Sequence, residues 1–164
     1  MTDHDPIETA WKIHAAVVDW TGKVDAKASF CVAVESAAVA GIISISADGR
    51  GLSRLIGLAE IFRDLGFAFL AIAILSAITV VTPRIRRAKV REEAGRNFIY
   101  FGHLKEWDAV DLASGLRDLD LLPMLTRQIV TMSKIAWQKH RRVQLSMVLA
   151  VVGATCVVVS YWLA

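Results

Sequence analysis

VDAKASFCVAVESAAVAGIISIS, residues Val24 to Ser46, is the stretch whose reading decides the fold. From Ala28 to Ser46 it stays apolar for about the 18 residues a helix needs to cross a bilayer, yet a carboxylate, Glu35, stands near its middle. Two further runs share its length and character. Leu65 to Thr82, LGFAFLAIAILSAITVVT, carries no charge and ends at a proline and a basic cluster, PRIRRAKVR. Val143 to Ala164, VQLSMVLAVVGATCVVVSYWLA, closes on Tyr161 and Trp162, residues suited to a membrane interface. Hydrophobic residues make up 55% of the 164, above the roughly 45–50% of soluble domains. The expected fold is all-α, with three transmembrane helices.

Orientation follows from the basic residues. Arg50, Arg54 and Arg63 lie between the first two runs, while the other sixteen of nineteen Lys and Arg fall on the opposite side. Such residues favour the cytoplasmic face, so the N-terminus is expected in the cytoplasm. The first twenty residues hold acids and lack a basic region followed by an apolar core, so no cleavable signal peptide is expected. The expected layout is a cytoplasmic N-terminal helix over 1–27, spans over 28–46, 65–82 and 143–164, a short external loop over 47–64, and a cytoplasmic helical region over 83–142.

The polar segments carry helical periodicity. Ile7, Trp11, His14, Val18, Thr21 and Val24 recur at three- and four-residue steps before the first span, as do Leu125, Ile129, Met132, Ile135 or Ala136, and Val143 before the third. Spans one and three are therefore expected to extend inward as amphipathic helices, forming a small cytoplasmic bundle. Between them KEWDAVDLASGLRDLD reads as a shorter acidic helix with Trp107, Val110 and Leu116 as buried candidates, and Pro123 falls in the first turn of the last helix.

At about 100° per residue, Ala33, Ala37, Ala40, Gly41 and Ser44 share one face of the first span, and small residues at that spacing let helices approach closely. Glu35 lies opposite, with Ala28, Cys31, Ala38 and Ser46. Both faces suit protein contact, which predicts a first span packed on its own neighbours and on another copy in a homo-oligomer. An acid at this depth is costly and faces a bundle interior or a wet cavity. Two roles stay open: Glu35 joins helices through groups such as Ser36, Ser146 or Thr155, or copies of Glu35 ring a polar path that can open.

Phosphate-cradle, nucleophile-elbow, zinc-protease and dinucleotide signatures are absent from the sequence. Cys31 and Cys156 sit in apolar runs, His4, His14, His103 and His140 lack metal-ligand spacing, and the acid pairs Glu92/Glu93 and Asp118/Asp120 fall in polar helices. No enzyme activity, metal or cofactor is expected. Asn97 to Leu104, NFIYFGHL, sets aromatics and an imidazole in the most basic region. That chemistry suits stacking on a base while Arg or Lys holds a phosphate, and equally suits a buried aromatic turn. PRIRRAKVR reads as a positive-inside anchor or as a binder of nucleotides or anionic lipids.

VDAKASF before the first span, the proline and basic residues after the second, NFIYFGHL, and RQIVTMSKIAWQKHRRVQ before the third occur in that order from about Trp11 to Ala164. This ordered set resembles the transmembrane effectors of Pycsar antiphage defence, the PycTM family. The resemblance implies a multi-pass protein of the bacterial inner membrane whose functional partner is a pyrimidine cyclase. It implies a messenger, cyclic CMP or cyclic UMP, whose binding impairs the membrane and causes abortive infection, and it implies no nucleic-acid partner. By matching segment, Asp25 and Lys27 take the DxKA positions, Tyr100, Phe101, Gly102 and His103 the YFG segment, and Gln128, Ser133 and Lys134 the final motif.

A cyclic-nucleotide domain of the β-roll type needs strands and a glycine-rich phosphate loop, and the ~60 residues after Pro83 supply neither. The pocket is therefore expected among helices, where the inward extensions meet NFIYFGHL. Arg96, Arg127 or Lys134 would hold the anion, with Tyr100 or Phe101 against the base. The competing expectation is a constitutive membrane scaffold that recruits a soluble cytoplasmic partner, with Glu35 only specifying helix pairing.

Overall fold

The computed structural model describes residues 5–47, 52, 55–83, 95 and 97–164. These residues form α1 (Pro6–Ser46), α2 (Leu58–Val81), α3 (Phe101–Leu104), α4 (Ala109–Asp118) and α5 (Leu121–Trp162), with no strand among them. Arg50, Arg54, Glu92, Glu93, Arg96 and all of the PRIRRAKVR cluster beyond Pro83 lie outside the described residues.

The helix boundaries follow local chemistry. Pro6 takes the first position of α1, where its missing N–H is no loss, and Asp5 Oδ1 accepts from Ile7 N at 2.8 Å. Asp108 caps α4, accepting from Val110 N and Asp111 N, and Asp120 accepts from Leu122 N at the start of α5. Gly57 precedes α2 with φ 63°, a conformation that needs no Cβ. At its other end Thr82 turns extended ahead of Pro83, whose ring disfavours a helical residue before it. Three helices are long and apolar enough to cross a membrane: α1, α2 and α5. Two of them, α1 with 41 residues and α5 with 42, run unbroken far beyond their apolar segments.

The chain divides into two compact units, one of Met1–Thr21 with Pro83–Trp137 and one of Gly22–Thr82 with Gln138–Ala164. The second is apolar. At one end of it Val24, Ala28 and Cys31 of α1 meet Ala77 and Val80 of α2 and Val143 of α5. At the other, Ile42, Leu52, Leu55, Ala59, Leu70 and Val157 form a second core. Helices in lipid gain little hydrophobic drive from meeting one another, so close packing must hold them. The small residues of α2 serve this: Gly66, Ala73 and Ala77 are buried at helical spacing. A Cβ on Gly153 would sit 2.9 Å from Gly66 O and 3.1 Å from Leu70 N, which brings the backbones of α2 and α5 into direct contact.

The first unit buries Ala10 and Val17 on α1 and Met124, Leu125 and Ala136 on α5. Here the expected stripe holds at Val24, which is buried, and fails at Trp11 and Val18, which are exposed; Ala10 and Val17, one residue earlier, are buried instead and continue to Val24 at a seven-residue step that returns to one side of a helix. On α5 the inward residue is Ala136, not Ile135. Val110 and Leu116 of α4 are also exposed, because Gly115 supplies the contact instead, under the ring of Trp107.

Candidate functional site

The aromatic segment forms a tight turn. Asn97 Oδ1 accepts from Ile99 N at 3.0 Å, and Asn97 O accepts from Trp107 Nε1 at 3.2 Å, so one buried asparagine fixes both ends of the segment. Tyr100 precedes α3 in extended conformation, and its carbonyl accepts from His103 N and Leu104 N. The Tyr100 ring lies edge-on to buried His103 at a centroid distance of 5.3 Å and tilted on Phe101 at 4.6 Å. The Tyr100 ring packs directly on Gly102, and a Cβ at that position would run into Tyr100 Cε1. Phe101 is left 69% exposed. The turn thus offers an exposed aromatic ring beside a hydrogen-bonded turn, chemistry suited to stacking on a planar ligand.

Two of the three cations expected to hold an anion lie on α5. Arg127 and Lys134 are exposed and seven residues apart, hence on one side of the helix about 10 Å from one another. Ser133 is exposed and Gln128 half-buried. Arg96 lies outside the described residues. A second concavity of about 410 Å³ is walled by Trp107, Asp111, Gly115 and Asp118, with Glu106 at its edge. Its carboxylates make it unsuited to an anion. Among these acids Asp108 is held below the usual carboxylate range by the backbone N–H of Asp111 and then that of Val110. Asp111 is pushed up by its side-chain hydrogen bond with Asp108 and by that neighbour's charge. Among the described residues no group of three or more His, Cys, Asp or Glu could hold a metal ion.

In the apolar unit two polar couples join α1 to α5. Lys139 Nζ donates to Asp25 Oδ1 at 2.6 Å and to Oδ2 at 2.7 Å. Three turns further along α1, Ser146 Oγ donates to Glu35 Oε1 at 2.6 Å. Of the three hydroxyl partners the sequence offered Glu35, Ser146 is the one it meets, while Thr155 bonds its own helix at Val151 O. Glu35 is 4% exposed, and its Oε2 has no hydrogen-bond partner. The Ala33, Ala37, Ala40, Gly41 and Ser44 face of α1 is exposed within the single chain.

Lys27, the second charged residue of the DxKA stretch, is exposed and forms no ion pair among the described residues, unlike Asp25. Sequence reasoning missed Lys139. The available signal was positional: Asp25 precedes Ala28 by three residues and Lys139 precedes Val143 by four, so each charge stands one turn before an apolar run.

Three apolar helices, two of them continuous with polar helix and joined by a buried carboxylate–hydroxyl couple, define a small helical membrane protein. The Pycsar effector protein domain, PycTM, matches residues 9–164, and the chain belongs to that family. Membership makes it an effector of Pycsar antiphage defence, a system that pairs it with a cyclase. No curated protein and no solved structure matches the chain.

Proposed function

We propose that this protein is the inner-membrane effector that senses a cyclic pyrimidine mononucleotide, cyclic CMP or cyclic UMP, and impairs the membrane of the infected cell, ending phage production by abortive infection. The observation that carries the reading is the continuity of α1 and α5, each a single helix that includes both polar sequence and a membrane segment. A ligand that favours one arrangement of the polar helices shifts the population of that arrangement, and a continuous helix carries the change along its own length.

The messenger's base stacks on exposed Phe101, beside Tyr100 and His103. Its phosphate pairs with Arg127 and Lys134, helped by Gln128 and Arg96. N-terminal residues 1–27 and the region 83–142 lie in the cytoplasm, with the loop 47–64 outside, in agreement with the basic-residue balance. In the membrane, a turn or tilt of α1 against α5 separates Glu35 from Ser146 and exposes the carboxylate to a path between copies of a homo-oligomer, whose contacts use the small-residue face of α1. Catalysis has no part in this mechanism.

Calorimetric titration of the detergent-purified protein with cyclic CMP, cyclic UMP, cyclic AMP and cyclic GMP tests the sensing step. Selective binding of one pyrimidine messenger, lost in Arg127→Ala, is the expected result. Binding of none by a folded, oligomeric preparation overturns it and favours a constitutive scaffold. Glu35→Gln, co-expressed with the cyclase during infection, tests the membrane step: the variant is expected to bind messenger yet lose toxicity.

A further inference from the structure

Two residues of the DxKA stretch part company in space. Asp25 turns to Lys139, whereas Lys27 stands about 160° away around α1. There it borders a groove of about 490 Å³ walled by Ala26, Phe30 and Cys31 of α1 and Met147 of α5. Phe30 is 70% exposed and Met147 54% exposed, so two large apolar side chains stand open along the groove. Lys27 immediately precedes the apolar run of α1, and on α5 Arg141 and Arg142 precede that helix's apolar run. Among the described residues none of these three cations has an ion-pair partner. The groove is thus apolar along its walls with one cation, Lys27, on its border, at the level where α1 passes from polar to apolar sequence.

We infer that this groove binds one acyl chain of an anionic phospholipid, with Lys27 pairing its phosphate. Zwitterionic lipid would fill the same walls without a net charge to answer the ammonium. A basic residue at such a boundary favours an anionic headgroup about fivefold. Met147 adapts to a chain of varied length and unsaturation because its unbranched thioether fits irregular contours. The site needs only that α1 and α5 lie in a bilayer, so it stands apart from messenger sensing.

The test is lipid retention and melting temperature of the full chain purified in mild detergent, with phosphatidylglycerol or phosphatidylcholine supplied at equal amounts. Wild-type protein and Lys27→Arg are expected to retain phosphatidylglycerol preferentially and to melt higher with it. Lys27→Gln is expected to lose about fivefold of that preference while folding normally. Met147→Trp, which fills the groove, is expected to lose retention of both lipids. Equal retention of the two lipids by wild-type protein overturns the inference, as does an unchanged preference in Lys27→Gln. So does Lys27-dependent stabilisation by inorganic phosphate or cyclic CMP in place of lipid, which would make this a soluble-anion site. A Met147→Trp variant that changes oligomer size and leaves lipid retention intact would assign the groove to a second copy of the chain and likewise overturn it.

Discussion

Lys139 grips both carboxylate oxygens of Asp25, tying α1 to α5 about one turn before the apolar run of each helix. The two side chains are 22% and 37% exposed, so water screens the pair only in part. Asp25→Asn should lower stability by about 1 kcal/mol, at the upper end for exposed pairs. Exchanging the charges, Asp25→Lys with Lys139→Asp, should recover most of the loss. Thermal melting of the detergent-purified variants reads both, and a double variant no better than either single one would show that the pair is not what holds this level of the helices.

Ser146→Ala should cost more than Glu35→Gln. The first leaves a buried carboxyl with neither oxygen partnered, whereas the amide can still accept from Ser146. A loss of about 0.5–2 kcal/mol is expected for Ser146→Ala, the range for interhelical hydrogen bonds in membranes. The double variant Glu35→Leu with Ser146→Ala should regain it by removing both polar groups. Unfolding in a graded series of denaturing detergent gives the comparison.

Ala substitutions at the α2–α5 glycine contact should differ in their rescue. A Cβ on Gly66 meets Val157 Cγ2 at 2.6 Å, which Val157→Ala removes, as well as Gly153 O at 2.9 Å. A Cβ on Gly153 meets Leu70 Cγ but also Gly66 O and Leu70 N, both backbone, and those two contacts no side-chain change relieves. Each single variant should lose about 1–3 kcal/mol, and Val157→Ala should partly restore Gly66→Ala but not Gly153→Ala. Melting curves of the four proteins decide it.

Gly102→Ala should displace the Tyr100 ring and with it the stacking face of Phe101. Near-ultraviolet circular dichroism should change in the tyrosine region while helix content holds. Messenger binding measured by calorimetry should weaken at least tenfold if the aromatic turn is the base platform.

Asp108 gives α4 an acid sensitivity with a definite sign. Its carboxyl titrates below the ordinary 3.8 in the folded chain, so its capping contribution is complete above that value and fades as pH falls through the lowered one. Asp111 is shifted the other way, so its ionisation opposes folding above its raised value and that opposition is relieved as pH drops. Hydrogen exchange at the Val110 and Asp111 amides should therefore quicken in Asp108→Ala at neutral pH, and Asp111→Asn should slow exchange throughout the helix.

Much of this architecture was legible in sequence because its signals are long or chemically costly. Three apolar runs gave three membrane-length helices, and an acid inside the first demanded a partner that proved to be one of three hydroxyls foreseen. Register was harder. The series Trp11, Val18 and the series Ala10, Val17 differ by one position, and periodicity cannot choose between adjacent stripes when alanine is the residue that fits the tighter side. Val110 and Leu116 misled for a related reason: apolar character marks burial, but Gly115 was the residue small enough to receive the Trp107 ring. The Gly66–Gly153 contact had a signal that went unused, since each is the sole glycine of its apolar run. Pairings over long sequence distance, such as Asp25 with Lys139, are fixed by tertiary geometry and leave only a positional trace.

The Glu35–Ser146 couple also imposes an order in time. Its members are 111 residues apart, and at synthesis rates of roughly 5–20 residues per second several seconds separate the arrival of the acid from the arrival of its hydroxyl. During that interval the first span already holds a carboxyl whose mate is still unmade. The nascent chain must keep that helix sheltered, at the insertion machinery or against the second span, until the last one emerges. A residue that stabilises the finished bundle is thereby a reason for the unfinished one to wait.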